Sequence, residues 1–189
     1  MDVLKYLCVF CGSQNGNDSQ ILRVTDELGS LLSRLGIGAI CGGSGCGLMK
    51  VLIESVFRSE GYVLGVHPKM LDVDQPAHPQ LSNLITTDSL YERKYIMINK
   101  ADAFIVMPGS FGTMDEFFEV MVLNKIKQIK KPILLFNVNG FWDGLISQLN
   151  AIQNNGFSDD FASFFRVVES VAEVEGQLMK LHRPVTENP

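Results

Sequence analysis

The sequence predicts an α/β protein: a single Rossmann-like, doubly wound domain with a mainly parallel sheet flanked by helices. Three observations carry this. Short apolar runs alternate with helical stretches along the chain, which is the pattern of βαβ units. Several of those runs are apolar throughout rather than alternating, as in strands buried on both faces. Three of them end in glycine-bearing loops, Cys11-Gly-Ser, Cys41–Gly47 and Pro108–Thr113, and parallel sheets bind ligands beyond the carboxyl ends of their strands. The three loops are expected to converge on one crevice.

Taken in order, Tyr6–Phe10 is the first strand and Gln14 to Ser19 a polar loop. Ile21, Leu28, Leu31, Leu32 and Leu35 form a helical stripe that stops at Gly36. Ile37–Ile40 is a second strand, followed by a helix with Leu48, Val51, Leu52, Ser55 and Val56 inward, ending before Gly61. Tyr62–Val66 is strand three. From His67 to Asn83, Pro68, Pro76 and Pro79 mark an irregular loop able to cover a site. Leu84–Thr87 reads as a short strand and Leu90–Lys100 as a helix. Ala103–Met107 is a buried strand broken by Pro108, Gly109 and Gly112, after which Thr113 opens a helix reaching about Gln128. Ile133–Val138 is a further strand and Phe141–Asn154 a helix closed at Gly156. Val167-Val168 is a last small strand and Val171–Leu181 a final helix. The domain spans 1–182, and 183–189 is read as a disordered tail.

With 189 residues, 46% hydrophobic and 20% charged, the chain can bury one substantial core. A net charge of −5 gives no electrostatic case for nucleic acid or an anionic membrane as main partner. A small anion remains open to it, because backbone dipoles bind anions whatever the net charge. No apolar run reaches membrane-spanning length, and the first residues enter a strand without a signal-peptide pattern, so a cytoplasmic protein is expected. The four cysteines, all between Cys8 and Cys46, are too clustered for a secreted framework. Cys8 and Cys11 form a CxxC on a strand, where an odd separation points them to opposite faces. Neither they nor the scattered His67, His78 and His182 suggest a metal site, and no cofactor is called for.

The chemistry centres on Pro108 to Glu116. A buried strand, a glycine turn and a helix N-terminus leave backbone N–H groups free at a positive dipole end, ready for phosphate or carboxylate. Glu116 lies one turn inside that helix. Thr113-Met-Asp-Glu116 also matches a capping box, and spacing alone favours that reading. In a crevice, the same carboxylate could stabilise a positive sugar carbon or orient water toward it. Arg93-Lys94 on a helix is ordinarily a solvated pair; turned inward, the guanidinium suits phosphate or carboxylate. The loop Gly42-Gly-Ser-Gly-Cys-Gly47 is neither a P-loop nor a dinucleotide fingerprint, and it fits a ligand cradle and a bare tight turn equally well. The aromatic cluster Phe157, Phe161, Phe164 and Phe165 reads as core or subunit contact.

Pro108-Gly-Ser-Phe-Gly-Thr-Met-Asp-Glu116 resembles the Pro-Gly-Gly-x-Gly-Thr-x-x-Glu signature of the Lonely Guy (LOG) family, whose members are cytokinin riboside 5′-monophosphate phosphoribohydrolases often labelled lysine decarboxylases. The resemblance runs from about Leu7 to Phe157. It includes Cys8-Val-Phe-Cys-Gly-Ser13, Gly42 to Met49, Gly65-Val-His-Pro-Lys69, Arg93-Lys94 and Asp102-Ala-Phe-Ile105. It implies a Rossmann-like fold, usually a homodimer, that binds an AMP-like nucleotide and hydrolyses its N-glycosidic bond to free base and ribose 5-phosphate. The family's catalytic Arg and Glu fall on Arg93 and Glu116. Its phosphate and ribose contacts fall on Lys94 and on Gly109, Ser110, Phe111, Gly112, Thr113 and Asp115. Further binding positions fall on Ser13 and on Gly43, Ser44, Gly45 and Gly47. The chain departs from the pattern at Ser110, Ser44, Lys50, Asp115, Gln75 and Val122, which leaves base preference open. A non-catalytic nucleotide or nucleotide-cofactor carrier is the alternative. A lysine decarboxylase would need a pyridoxal-phosphate lysine, for which no lysine here has a recognisable setting.

Overall fold

The computed structural model describes residues 4–158 and 160–182; the expected tail, 183–189, lies outside the described residues. Seven strands form one sheet: β1 (Tyr6–Phe10), β2 (Gly38–Cys41), β3 (Val63–Pro68), β4 (Asn83–Thr87), β5 (Ala103–Val106), β6 (Ile133–Phe136) and β7 (Arg166–Val168). Six helices join them: α1 (Ser19–Arg34), α2 (Gly47–Arg58), α3 (Leu90–Lys100), α4 (Phe111–Lys125), α5 (Asp143–Asn154) and α6 (Val171–His182). Every strand pair is parallel, in the order β4-β3-β2-β1-β5-β6-β7.

The apolar runs have the two-faced character that parallel strands require. Leu7 and Val9 enter the core beneath α1, α2 and α6, while Cys8 and Phe10 enter the core beneath α3, α4 and α5. The CxxC is split as its spacing demands: Cys8 lies on one face and Cys11 on the other, and all four cysteines are free. Phe10 stacks on Phe104 at 5.6 Å, and Phe165 meets Phe117 edge-on at 5.4 Å. Of the aromatic cluster, Phe161, Phe164 and Phe165 join this second core, whereas Phe157 is exposed.

Strand order reverses between β1 and β5, which run in register to Phe10 opposite Val106. Their carboxyl ends therefore open side by side. Met107 N–H donates to Phe10 O at 2.8 Å and Gly12 N–H to Pro108 O at 3.1 Å, so the two following loops are joined. Gly12 and Gly109 face each other closely: a β-carbon on Gly12 would stand 3.4 Å from the Gly109 α-carbon. Glycine is used here for close approach. Because α3 and α4 flank β5 in sequence and cover the same sheet face, Arg93 and Glu116 are carried toward one another.

The expected start of α4 needs correction. The helix begins at Phe111, two residues before Thr113, with Ser110 as an N-cap that makes no side-chain hydrogen bond. The glycine at 112 sits inside the first turn, where it interrupts no established ladder. Thr113 and Glu116 are therefore not a capping box; both are buried.

Helices α1 and α2 pack at Gly29, where a β-carbon would lie 2.7 Å from Ser55 Cβ and 3.1 Å from the Leu52 carbonyl. Helix propensity alone would favour Gly29→Ala by about 1 kcal/mol. The collision should outweigh it, giving a net loss of about 1–3 kcal/mol in urea unfolding; a stabilised variant would contradict this packing.

Candidate functional site

The site is built where the β1 and β5 loops meet α3 and α4. A cavity of about 190 Å³ is lined by Ser13 and Gly12 after β1, by Ser110, Gly112, Thr113 and Glu116 from the α4 N-terminus, and by Arg93 and Leu90 from α3. Leu71 and Gln75 close it from the irregular loop after β3, and Met49 and Cys11 from beneath. A second lobe, also about 190 Å³, shares Gly12, Ser13 and Ser110 and continues past Gly109 to Ile21, Leu48 and Phe141. The α4 N-terminus stands between the lobes. Its first intrahelical bond is donated by Met114, and the N–H groups of Phe111, Gly112 and Thr113 have no acceptor among the described residues. Three free donors at a helix start attract an anion.

Arg93 Nη2 lies 3.2 Å from Glu116 Oε1, with both side chains largely buried. Neither Arg93 Nε nor Glu116 Oε1 completes an aligned hydrogen bond among the described residues. Buried polar groups with unused capacity are uncommon, and here they line a cavity. Burial drives the Glu116 carboxyl from an ordinary 4.5 up to about 7; the Arg93 guanidinium opposes that shift without cancelling it. The acid is consequently poised between its charged and neutral forms near neutral pH.

Arg93 owes its place to an absent side chain. A β-carbon on Gly42 would overlap the guanidinium nitrogen Nη2 and come within 3.0 Å of Cζ. Gly42, the first glycine of its loop, was legible as part of a glycine run but not as the seat of an arginine.

The sequence-predicted residues divide into three groups. Ser13, Arg93, Ser110, Gly112, Thr113 and Glu116 line the first lobe, and Gly109 lines the second. Lys94 and Asp115 are joined to each other at 2.8 Å, with Glu119 also 2.6 Å from Lys94 Nζ; neither residue lines either lobe. Phe111 is 84% exposed and also stands off the cavity.

The residues Gly43, Ser44, Gly45 and Gly47 form the third group, and the structure uses them as a fastening. Gly43 O accepts from His78 N–H at 2.9 Å, Gly45 N–H donates to Pro76 O at 2.8 Å, and Ser44 bridges Ala77. Gly47, at φ +58°, lies against the Ser13 backbone, and none of the four lines either lobe. This loop holds the segment that supplies Leu71 and Gln75. Gln75 is among the departures from the family pattern that bear on base preference; Leu71 was missed as a cavity wall, although its place after a strand's carboxyl end was the available signal. Phe141 carried no signal at all.

Among the described residues no group of three or more His, Cys, Asp or Glu is placed to hold a metal, and no helix is long and apolar enough to cross a membrane. The buried thiols of Cys8 and Cys11 are pushed well above the ordinary range by burial, and that of Cys41 to about 11. They are therefore protonated and unreactive at neutral pH.

A parallel α/β domain with an acid–guanidinium pair at its switch point defines the class, and comparison with known proteins narrows it. The family model described as "possible lysine decarboxylase" matches residues 49–178. The cytokinin riboside 5′-monophosphate phosphoribohydrolase LOG2 of Arabidopsis thaliana is 33% identical over 175 residues, 93% of this chain and 81% of that protein. The enzyme LOG of Oryza sativa subsp. japonica is 33% identical over 181 residues, 96% and 74% of the two chains. This chain belongs to the Lonely Guy family. In fold it is similar to the molybdenum cofactor carrier protein of Chlamydomonas reinhardtii, with a TM-score of 0.71 at 18% identity over 94% of this chain and 98% of that one.

Two outcomes follow from the geometry. Gly42→Ala should expel the guanidinium from its seat, which a crystal structure of the variant would show as Arg93 withdrawn from Glu116. Glu116 is raised in the folded state, so the folded protein binds the extra proton between about pH 4.5 and 7, and stability falls as pH rises through that window. Glutamine mimics the neutral acid. Relative to wild type, Glu116→Gln should match in denaturant unfolding near pH 4 and be the more stable at pH 8; a variant weaker at pH 8 would mean that Arg93, not burial, governs the acid.

Proposed function

We propose that the chain hydrolyses the N-glycosidic bond of a purine nucleoside 5′-monophosphate, AMP or an N6-substituted AMP, releasing the free base and ribose 5-phosphate. The observation that carries the reading is the buried Arg93–Glu116 pair, its hydrogen-bonding capacity unfilled, beside three free N–H groups at the start of α4. The activity for which the relatives are named supports it.

In this reading the N–H groups of Phe111, Gly112 and Thr113, with the Gly12–Ser13 turn, hold the 5′-phosphate. That fixes the ribose over Glu116. As the bond from C1′ to the base nitrogen breaks, its electron pair leaves with the base, which takes up a proton. The cationic sugar carbon is stabilised by the Glu116 carboxylate, which directs a water to C1′ and accepts its proton. Arg93 orients the carboxylate and the ligand. It is no acid, because guanidinium keeps its proton at working pH. Contact of Lys94 or Asp115 with the phosphate would require their mutual pair, and that of Lys94 with Glu119, to open. No lysine lines the cavity, which leaves the decarboxylase label without a Schiff-base residue there. We take the exposed Tyr91 and Tyr95 on α3 and Phe118 and Val122 on α4, beside the cavity residue Leu90, to be the seat of a second copy in a homodimer.

Purified protein incubated with AMP should release adenine and ribose 5-phosphate, seen by chromatography. Glu116→Gln should lower kcat by about 10³-fold, the scale of losing a preorganised electrostatic group. With the acid near 7 and the ionised form active, kcat/KM should fall as pH drops below neutrality. Saturable AMP binding without base release would instead favour the carrier.

A further inference from the structure

A buried imidazole touches the supports of both the guanidinium and the cavity wall. His67 is the fifth residue of β3, a strand buried throughout, and is 1% exposed. An imidazole there loses its hydration and needs polar partners. Two acceptors lie near it: Nε2 stands 3.0 Å from Asp72 Oδ1, without completing an aligned hydrogen bond among the described residues, and Nδ1 stands 3.4 Å from Gly42 O. Gly42 is the residue whose missing side chain admits Arg93. Asp72 follows Leu71 directly, and Gln75 N–H donates to Leu71 O at 2.8 Å, so the carboxylate that His67 holds anchors the turn carrying both cavity-wall residues.

We propose that His67 is a positioning residue, the pin that fastens the 69–78 segment over the cavity and keeps the Gly42 backbone set for Arg93. The part concerning turnover rests on the hydrolase reading above; the fastening does not. The pin works with the backbone ties from Gly43 and Gly45 to His78 and Pro76, which hold the far end of the same segment. The Asp72 tie is the near end. Released there, the segment keeps its distal attachment but Leu71 and Gln75 lose their fixed approach to the ligand. The cost falls on binding more than on the chemical step, because neither His67 nor Asp72 lines the cavity.

The test is a double-mutant cycle of His67→Leu and Asp72→Ala, read by hydrogen exchange of residues 69–78 and by AMP kinetics. Asp72 is exposed, so its variant folds even if His67→Leu does not. Each single change should speed exchange of the segment about tenfold, a loss of about 1.4 kcal/mol of local stability. Asp72→Ala should raise KM for AMP about five- to tenfold with kcat changed less than twofold, and His67→Leu, which also frees the Gly42 backbone behind Arg93, should raise KM as much and lower kcat as well. The double variant should be no worse than His67→Leu alone, since Asp72→Ala removes a contact that His67→Leu already lacks. His67→Gln, which keeps an N–H donor, should recover most of the loss. Unchanged exchange in Asp72→Ala, or additive effects in the cycle, would overturn the proposal. Exchange needs no turnover: a wild type that leaves AMP and an N6-substituted AMP intact while the cycle behaves as stated would refute the hydrolase reading alone.

Discussion

The structure depends on keeping an ionisable acid and a guanidinium out of water at the end of a parallel sheet. Removing two such groups from solvent is costly, and their attraction repays it only in part. Burial pushes the Glu116 carboxyl up to about 7 despite the Arg93 guanidinium beside it, which leaves the acid balanced between its two forms near neutral pH. Everything near the pair serves the arrangement: a missing side chain at Gly42, a helix whose third residue is the buried Thr113, and a β3 loop drawn over the top. A protein without use for the pair would be more stable with two apolar residues in its place.

The fold was legible because parallel strands must be apolar on both faces. Runs such as Ala103–Met107 and Ile133–Val138 could be read as buried strands from composition alone, and Leu90–Lys100 was bounded to the residue. The pairing of Arg93 with Glu116 was not legible from local pattern. Twenty-three positions separate them, and each has an ordinary local account, a solvated helix face for one and a cap for the other. Only the family resemblance joined them, and the topology, with α3 and α4 on the same sheet face around β5, supplies the physical reason.

Local rules left two motifs undecided because the groups concerned have tertiary partners. Thr113-Met-Asp-Glu116 matches a capping box by spacing, yet α4 already starts at Phe111, so Thr113 is its third residue and not its N-cap. The Gly42–Gly47 loop has the composition of a ligand cradle, yet its backbone groups at Gly43 and Gly45 are taken by His78 and Pro76. Glycine permits close approach without specifying what approaches. Here it is a guanidinium at Gly42 and the protein's own chain at the positions after it. Lys94 shows the converse, a basic residue beside the site whose charge is already matched by Asp115 and Glu119.

The central claim is that Glu116 is a desolvated acid held against Arg93 in a ligand cavity. It is tested most directly by following the carboxyl carbon of Glu116 by NMR across a pH titration, with and without AMP. The account requires a midpoint near 7 that moves when the nucleotide binds. A midpoint at the ordinary value of 4.5, indifferent to AMP, would show an exposed acid with no part in the site.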